Sequence, residues 1–188
     1  GKFNFKANFF GEHNILNATA SIITSLLANI PLKKIRYSLN NFQGVKRRFS
    51  YLGNISKASI YDDYAHHPAE IKASYEIAKH ISRKKIIVIF QPHRYSRTKI
   101  LLDDFMKVLS KIDVLYLLDI YPAGEKTLKN INSKNIVKKL KLKNKNTYYL
   151  DKKENIRLVL QPYFSANNTI VFMGAGSITN IAHSLFDK

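Results

Sequence analysis

The chain has 188 residues, 45% of them hydrophobic, so it can bury one good core, or one domain together with part of another. It contains no cysteine, which excludes disulfides and thiolate metal sites, and no window has the roughly 18 to 20 uninterrupted apolar residues of a membrane span. A formal net charge of +18 is typical of nucleic-acid binders, but the lysines are spread along the chain, and we expect a soluble cytoplasmic protein without a membrane partner.

Two helices are predicted in the first part of the chain. Apolar residues recur at helical spacing after Gly11 and again in residues 31–42. Two helices after a short apolar opening do not make a domain. We therefore interpret residues 1–42 as the tail of a larger domain and residues 43–188 as a second domain.

The first helix begins with His13, Asn14 and Asn17. Exposed backbone N–H groups and the positive end of the helix dipole favour an anion at such a position. Asn14 could simply cap the helix, but two asparagines and a histidine within about one turn exceed what a cap requires.

Arg47 and Arg48 lie where the chain crosses into the second domain, in the sequence GVKRRFS. Solvation at the surface is sufficient to explain one of them. An arginine that faces a cleft between domains would instead bind a phosphate group.

From residue 58 onward, short β-branched runs alternate with amphipathic segments. Strands are predicted at 58–62, 85–90, 114–119, 147–150 and 169–174. Helices are predicted at 68–82, 97–112, 133–142, 154–164 and 178–186. This alternation predicts an α/β, Rossmann-like, mostly parallel sheet with helices on both faces, in which ligands bind at the carboxyl ends of the strands.

Three polar or glycine-rich segments follow predicted strands and therefore share one rim of that sheet. The first contains Asp62 and Asp63, suited to a ribose hydroxyl or to holding a histidine, and then Tyr64, His66 and His67. A zinc site is the competing interpretation, but it lacks ligands unless His93 joins it. The third segment is the glycine-rich loop at 173–178.

The second segment reads FQPHRYSRT, at residues 90–98. Arg94 and Arg97 are three residues apart at the start of a predicted helix, so they can converge with its dipole on a carboxylate. Two guanidinium groups can bind a carboxylate through several hydrogen bonds of defined direction. Ion pairs with Asp103 and Asp104 on the helix surface are the alternative.

The lysines concentrate once, in KKLKLKNKN at 138–146. This run follows a predicted helix, where cations suit the negative end of the dipole. A solvated face is our interpretation. A basic Rossmann-like module that binds nucleic acid without catalysis stays the alternative.

Six motifs follow in this order along the chain: GEHNILNATA, FQGVKRRF, DDYAHHPAEI, FQPHRYSRT with LLDDF behind it, DIYPAGE and GAGSI. Together they resemble the Mur ligase family, the amide-forming ligases of bacterial cell-wall synthesis. QPHRYSRT and DIYPAGE resemble its alanine-adding members most specifically. Ala65 stands where the family commonly has glycine.

The resemblance implies roles for individual side chains. A nucleotide site would be formed by His13, Asn14, Asn17, Arg48 and Asp63, with Arg48 at the ATP phosphates. An L-alanine pocket would be formed by Tyr64, His66, His93, Arg94 and Arg97, with the arginines on the carboxylate. His66 would act as a base or as an orienting group.

The implied reaction is ATP-driven amide formation. The carboxylate of UDP-N-acetylmuramate takes the γ-phosphate to give an acyl phosphate, and the amine of L-alanine then displaces phosphate. The family's phosphate loop, GxxxxGK[ST], does not occur in these residues. We therefore expect the ligands of Mg²⁺ mainly in other domains of the same enzyme, and no catalysis by this portion alone.

Overall fold

The computed structural model describes residues 4–5, 11–42 and 44–187, without the side chains of Glu12 and His13. The chain divides into two compact units, Gly1–Val45 and Lys46–Lys188. Within the described residues of the first unit, two helices lie in sequence, α1 at Glu12–Leu27 and α2 at Leu32–Asn41. Helix α1 leaves Ile15, Leu16 and Leu27 largely exposed, so its apolar spacing does not give a buried face among the described residues of this unit.

The second unit contains six strands and six helices in its described residues. The strands are β1 (Ser50–Ile55), β2 (Ala58–Asp63), β3 (Ile86–Phe90), β4 (Val114–Leu117), β5 (Thr147–Tyr149) and β6 (Thr169–Met173). The helices are α3 (Pro68–Ile81), α4 (Tyr95–Ile100), α5 (Leu102–Leu109), α6 (Ser133–Leu140), α7 (Ile156–Phe164) and α8 (Ile178–Ser184). None of the described helices is both long and apolar enough to cross a membrane.

The strands form one sheet in the order β1-β2-β6-β3-β4-β5. Only β1 runs antiparallel to its neighbour, and every other pair is parallel. The predicted α/β fold with a mostly parallel sheet is confirmed. Strand β1 was not predicted, because SYLGNI contains a glycine and an asparagine and alternates only weakly.

The core lies on both faces of the sheet. All five residues of β3 and all five of β6 are buried, as expected of central parallel strands covered on both sides. Helices α3, α5 and α6 pack on one face, together with Val88 and Val171. Helices α7 and α8 pack on the other, together with Ile87 and Ile170.

The predicted long helix at 97–112 is two helices that meet at Leu101, where the backbone has φ −101° and ψ 18°. Helix α5 buries Phe105, Val108 and Leu109 in the core, whereas Thr98 is the buried residue of α4. The break lets α4 remain at the rim while α5 packs against the sheet.

The connections place a crevice at the carboxyl end of β6. Strand β6 lies between β2 and β3. Strand β2 continues into α3, and strand β3 continues through α4 into α5, so that α3 and α5 pack on one side of the sheet. Strand β6 itself continues into α8 on the other side. Neighbouring strands whose helices leave to opposite faces open a gap at the rim, and ligands of open α/β sheets bind in such gaps.

Candidate active site

Two buried aspartates close β2 and hold the turn that follows it. The Asp62 carboxylate accepts a hydrogen bond from the Thr179 hydroxyl at 2.6 Å. The Asp63 carboxylate accepts from the Ala65 amide at 3.1 Å and from the Ser74 hydroxyl. The two aspartates are 1% and 4% exposed. Both carboxylates bind groups of their own unit, and a contact between Asp63 and a nucleotide stays a prediction.

A backbone hydrogen bond to the residue after β6 holds the start of the turn that follows Asp63. The Gly174 amide donates to the Asp63 carbonyl at 3.0 Å, which joins the ends of β2 and β6. Burial raises the pKa of the Asp63 carboxyl, while the hydrogen bonds from Ser74 and Ala65 and the charge of Arg48 oppose that rise.

The two histidines of the turn have different roles. His67 is the N-cap of α3, and its Nδ1 accepts from the Ala69 amide at 3.4 Å. The Glu70 carboxylate completes a capping box by accepting from the amides of His66 and His67 at 3.0 and 3.2 Å. His67 therefore caps α3. The ring of His66 instead lies next to His93, just beyond the end of β3.

The contacts of His66 fix which of its ring nitrogens carries the proton. Its Nδ1 lies 2.9 Å from the carbonyl oxygen of Tyr64. Because a carbonyl oxygen can only accept, Nδ1 of the neutral ring carries the hydrogen and Nε2 keeps a lone pair. The ring packs edge-on against Tyr64 with centroids 5.3 Å apart. His66 is thus oriented as a proton acceptor.

His93, just beyond β3, has the opposite tautomer. Nη1 of Arg97 lies 3.3 Å from His93 Nδ1, and a guanidinium can only donate, so the hydrogen of the neutral ring is on Nε2. Burial lowers the pKa of His93, and the positive charges of Arg97 and Arg94 lower it further. The ring stacks on Tyr121 with centroids 5.5 Å apart. The His66 and His93 rings lie 5.8 Å apart, so an acceptor and a donor stand side by side.

The two arginines of QPHRYSRT differ in their surroundings. Arg97 is partly buried and contacts His93, whereas Arg94 is exposed at the rim. Asp104 pairs with Lys107 at 3.2 Å. The described contacts therefore give Asp104 a lysine partner rather than either arginine.

The expectation that the dipole of α4 acts on a bound carboxylate needs correction. Helix α4 has six residues, and its Ser96 amide already donates to the Glu125 carboxylate at 3.0 Å. The Ser96 hydroxyl donates to the same carboxylate at 2.5 Å. A carboxylate from the chain itself occupies the start of the helix, and carboxylate binding by Arg94 and Arg97 stays a prediction.

Arg47 and Arg48 flank the Tyr64 ring, with guanidinium carbons 4.8 and 5.7 Å from its centroid. Arg47 also donates to the Gly174 carbonyl at 2.6 Å and lies 3.5 Å from the Asp62 carboxylate. The Arg48 side chain is 47% exposed and has a loose contact of 3.9 Å with Glu70. Arg47 therefore joins the ends of β2 and β6, and Arg48 is the arginine available to a ligand.

Gln91 positions the glycine-rich loop after β6. Its Oε1 accepts from the Ile178 amide at 3.1 Å, and its Nε2 donates to the Ser177 hydroxyl at 3.3 Å. A Cβ at Gly174 would lie 2.8 Å from the Gln91 carbonyl oxygen, and a Cβ at Gly176 would lie 2.6 Å from Gln91 Oε1. The loop can approach β3 this closely only because both positions lack side chains.

The candidate nucleotide residues of the first unit lie at the beginning of α1. Gly11 is the N-cap, and Asn14 is the third residue of the helix, so the interpretation of Asn14 as the cap was wrong. Asn17 lies one turn further, where its carbonyl accepts from the Ser21 hydroxyl. The side chain of His13 lies outside the described residues. Nucleotide binding by these residues stays a prediction.

Among the side chains that the structure describes, no group of three or more His, Asp or Glu residues is placed to hold a metal ion. These side chains do not fit Mg²⁺, and the expectation that its ligands lie mainly in other domains stays a prediction.

The sequence matches the family described as Mur ligase, glutamate ligase domain, over residues 47–176. It is 44% identical over 181 residues to a UDP-N-acetylmuramate–L-alanine ligase of Rickettsia felis, across 93% of this chain and 38% of that protein. The chain thus spans about two fifths of the length of this relative.

Solved structures share the fold. A UDP-N-acetylmuramate–alanine ligase from Thermotoga maritima superposes with a TM-score of 0.77 at 30% identity, over 99% of this chain and 40% of that one. A MurF ligase from Thermotoga maritima, solved in complex with ADP, superposes with a TM-score of 0.67 at 16% identity, over 98% of this chain and 40% of that one. The second likeness concerns the fold alone.

Proposed function

Because this chain belongs to the Mur ligase family, we propose that it is the C-terminal, amino-acid-binding part of an ATP-dependent ligase that joins L-alanine to the carboxylate of UDP-N-acetylmuramate in peptidoglycan synthesis. The proposal includes the division into an ATPase-domain tail at 1–42 and an amino-acid-binding domain at 43–188. The remaining nucleotide and sugar sites belong to other domains of the same enzyme.

One observation carries the proposal. The ends of β2 and β3 bring Tyr64, His66, His93 and Arg97 together at the crevice beside β6, with Arg94 at its edge. The group combines guanidinium donors with a ring nitrogen that accepts a proton, and a small amino acid has a carboxylate and an amine to match them.

In this proposal, Arg94 and Arg97 bind the carboxylate of L-alanine and the His93 Nε2–H group donates to the ligand. His66 accepts the proton that the amine loses as it attacks the acyl phosphate, because its Nε2 has the free lone pair. The Tyr64 carbonyl keeps that tautomer in place. Correct placement of the amine against the acyl group supplies most of the acceleration in such a transfer.

Arg48 binds the ATP phosphates in the same proposal. Its guanidinium is exposed beside Tyr64, so it can reach a group that approaches the amino-acid pocket from outside this unit. His13, Asn14, Asn17 and Asp63 complete the proposed nucleotide contacts. Mg²⁺ would neutralise phosphate charge in such a reaction, and its ligands are assigned to the rest of the enzyme.

A chimera tests the proposal. The segment of the Rickettsia felis ligase that matches this chain is replaced by the chain itself, and ligation is followed through phosphate release and product formation. We expect turnover that requires ATP, UDP-N-acetylmuramate and L-alanine together. Arg94→Ala should raise the KM for L-alanine and Arg48→Ala the KM for ATP, each about 10-fold, the usual loss for a hydrogen bond to a charged group.

The two variants control for each other, since each should leave the KM for the other substrate almost unchanged. A folded chimera that forms no product would refute the proposed function. An active chimera that tolerates both substitutions would refute the residue assignments.

A further inference from the structure

The segment 119–125, between β4 and α6, lies against the residues that follow β3. The Tyr121 amide donates to the Pro92 carbonyl and the Arg94 amide donates to the Tyr121 carbonyl, both at 2.8 Å. These bonds add one parallel bridge, between His93 and Tyr121, beyond the end of the strands. The segment thus holds the backbone on both sides of His93.

Glu125 ends this segment and binds the first turn of α4. One carboxylate oxygen accepts from the Ser96 amide and the other from the Ser96 hydroxyl, at 3.0 and 2.5 Å. Helix α4 receives no capping bond from the side chain of its own N-cap residue, Arg94. Glu125 therefore accepts the hydrogen bond from a first-turn amide that an N-cap side chain normally accepts, although it lies in a segment distant in sequence.

The N-cap residue Arg94 has an unusual backbone. Its φ of 71° and ψ of 135° lie in a region that residues with a side chain rarely adopt. Its amide donates to Tyr121, and its carbonyl accepts from the Thr98 amide at 3.1 Å and from the Thr98 hydroxyl at 2.7 Å. A strained backbone conformation persists only where the surrounding structure holds it in place, as these hydrogen bonds do on both sides of Arg94.

We propose that Glu125 is a positioning residue for the amino-acid site: its bonds to Ser96 hold the first turn of α4, and thereby hold Arg94 in its strained conformation at the start of the helix that also contains Arg97. The inference rests on the proposed function for the identity of the ligand. Without Glu125, the backbone of Arg94 relaxes and the placement of its side chain relative to Arg97 changes.

Three variants test it in the chimera: Glu125→Ala, Glu125→Gln and the control Asp104→Ala, which removes an exposed acid of α5. Glu125→Ala should raise the KM for L-alanine about 10-fold while kcat and the KM for ATP change less than about 2-fold, because only the placement of the carboxylate donors is disturbed. Glutamine can accept from the Ser96 amide and donate to its hydroxyl, so Glu125→Gln should restore the KM to within about 3-fold. Asp104→Ala should match the parent.

A second measurement uses the 188-residue chain alone. Hydrogen exchange followed by NMR should show the Arg94 and Ser96 amides exchanging at least about 10-fold faster in Glu125→Ala than in the parent or in Asp104→Ala. Unchanged exchange at both amides overturns the proposal, even if the parent chimera is inactive and the proposed function fails. Faster exchange with an unchanged KM for L-alanine in an active chimera also overturns it.

Discussion

The Arg47 guanidinium lies 4.8 Å from the centre of the Tyr64 ring, while the Tyr64 amide donates to the Arg47 carbonyl at 2.7 Å. Backbone and side chain of one arginine thus hold the same tyrosine. Since Arg47 also contacts Asp62 and Gly174, the orientation of Tyr64 depends on the joined ends of β2 and β6.

Arg47→Ala should lower the free energy of unfolding by about 2 kcal/mol, because it leaves the buried Asp62 carboxylate without its cation and the Gly174 carbonyl without a donor. Arg48→Ala is the matched control, and it should change stability by less than about 0.5 kcal/mol because its ion pair is loose and exposed. Urea denaturation followed by circular dichroism measures both. Equal losses would contradict the distinction between the two arginines.

Gly174→Ala should destabilise the chain by about 3 kcal/mol. The new Cβ would lie 2.8 Å from a backbone oxygen, and the φ of +153° is itself unfavourable for alanine. Gly124→Ala separates the two causes, because Gly124 has a φ of +86° with open space around it and should lose only about 1 kcal/mol. Thermal unfolding of the two variants compares them. A loss at Gly174 no larger than at Gly124 would exclude the close approach to Gln91.

The His93 ring should titrate below its ordinary value of 6.5. The unfolded chain then binds a proton that the folded chain does not, so stability should fall as the pH drops below 6.5 and be fully present above it. NMR of the ring nitrogens gives the midpoint and the tautomer in one experiment. Arg97→Ala should raise the midpoint toward the ordinary value, and a midpoint that does not respond would contradict the assigned contact.

His66→Ala in the chimera should lower kcat about 100-fold, as expected on loss of a general base. His67→Asn is the control at the neighbouring residue. Asparagine preserves the N-cap of α3, so this variant should leave kcat near the parental value. Measurement of kcat with saturating substrates tests both changes. A loss of kcat below about 3-fold in His66→Ala would exclude His66 as the base and leave it an orienting role.

The central strands were predictable because burial on both faces leaves a continuous apolar run, as in IIVIF and TIVFM. Strand β1 was not, since it lies at the edge of the sheet and depends on pairing with β2 rather than on its own pattern. The break at Leu101 was missed for a similar reason. Apolar spacing continues through it, and only the packing of α5 against the core separates the two helices.

The rim residues of β2 and β3 were predictable because they follow strand signals directly. The supporting contacts were not. Glu125 reaches Ser96 across 29 positions, and Gln91 reaches Ile178 across 87. Such partners follow from the strand order, and the sequence patterns did not predict that β6 lies between β2 and β3.

The position of β6 also constrains when the domain can form during synthesis. In the described sheet, β6 alone joins the pair β1 and β2 to the group β3, β4 and β5, so these two groups have no ladder between them before residues 169–173 have left the ribosome. Among the described strands β6 comes last in chain order and bonds to both groups, so a continuous sheet cannot close until residues 169–173 are available. Until then, the facing edges of β2 and β3 are open to pairing with other chains, and a chaperone that shields them would act in that interval.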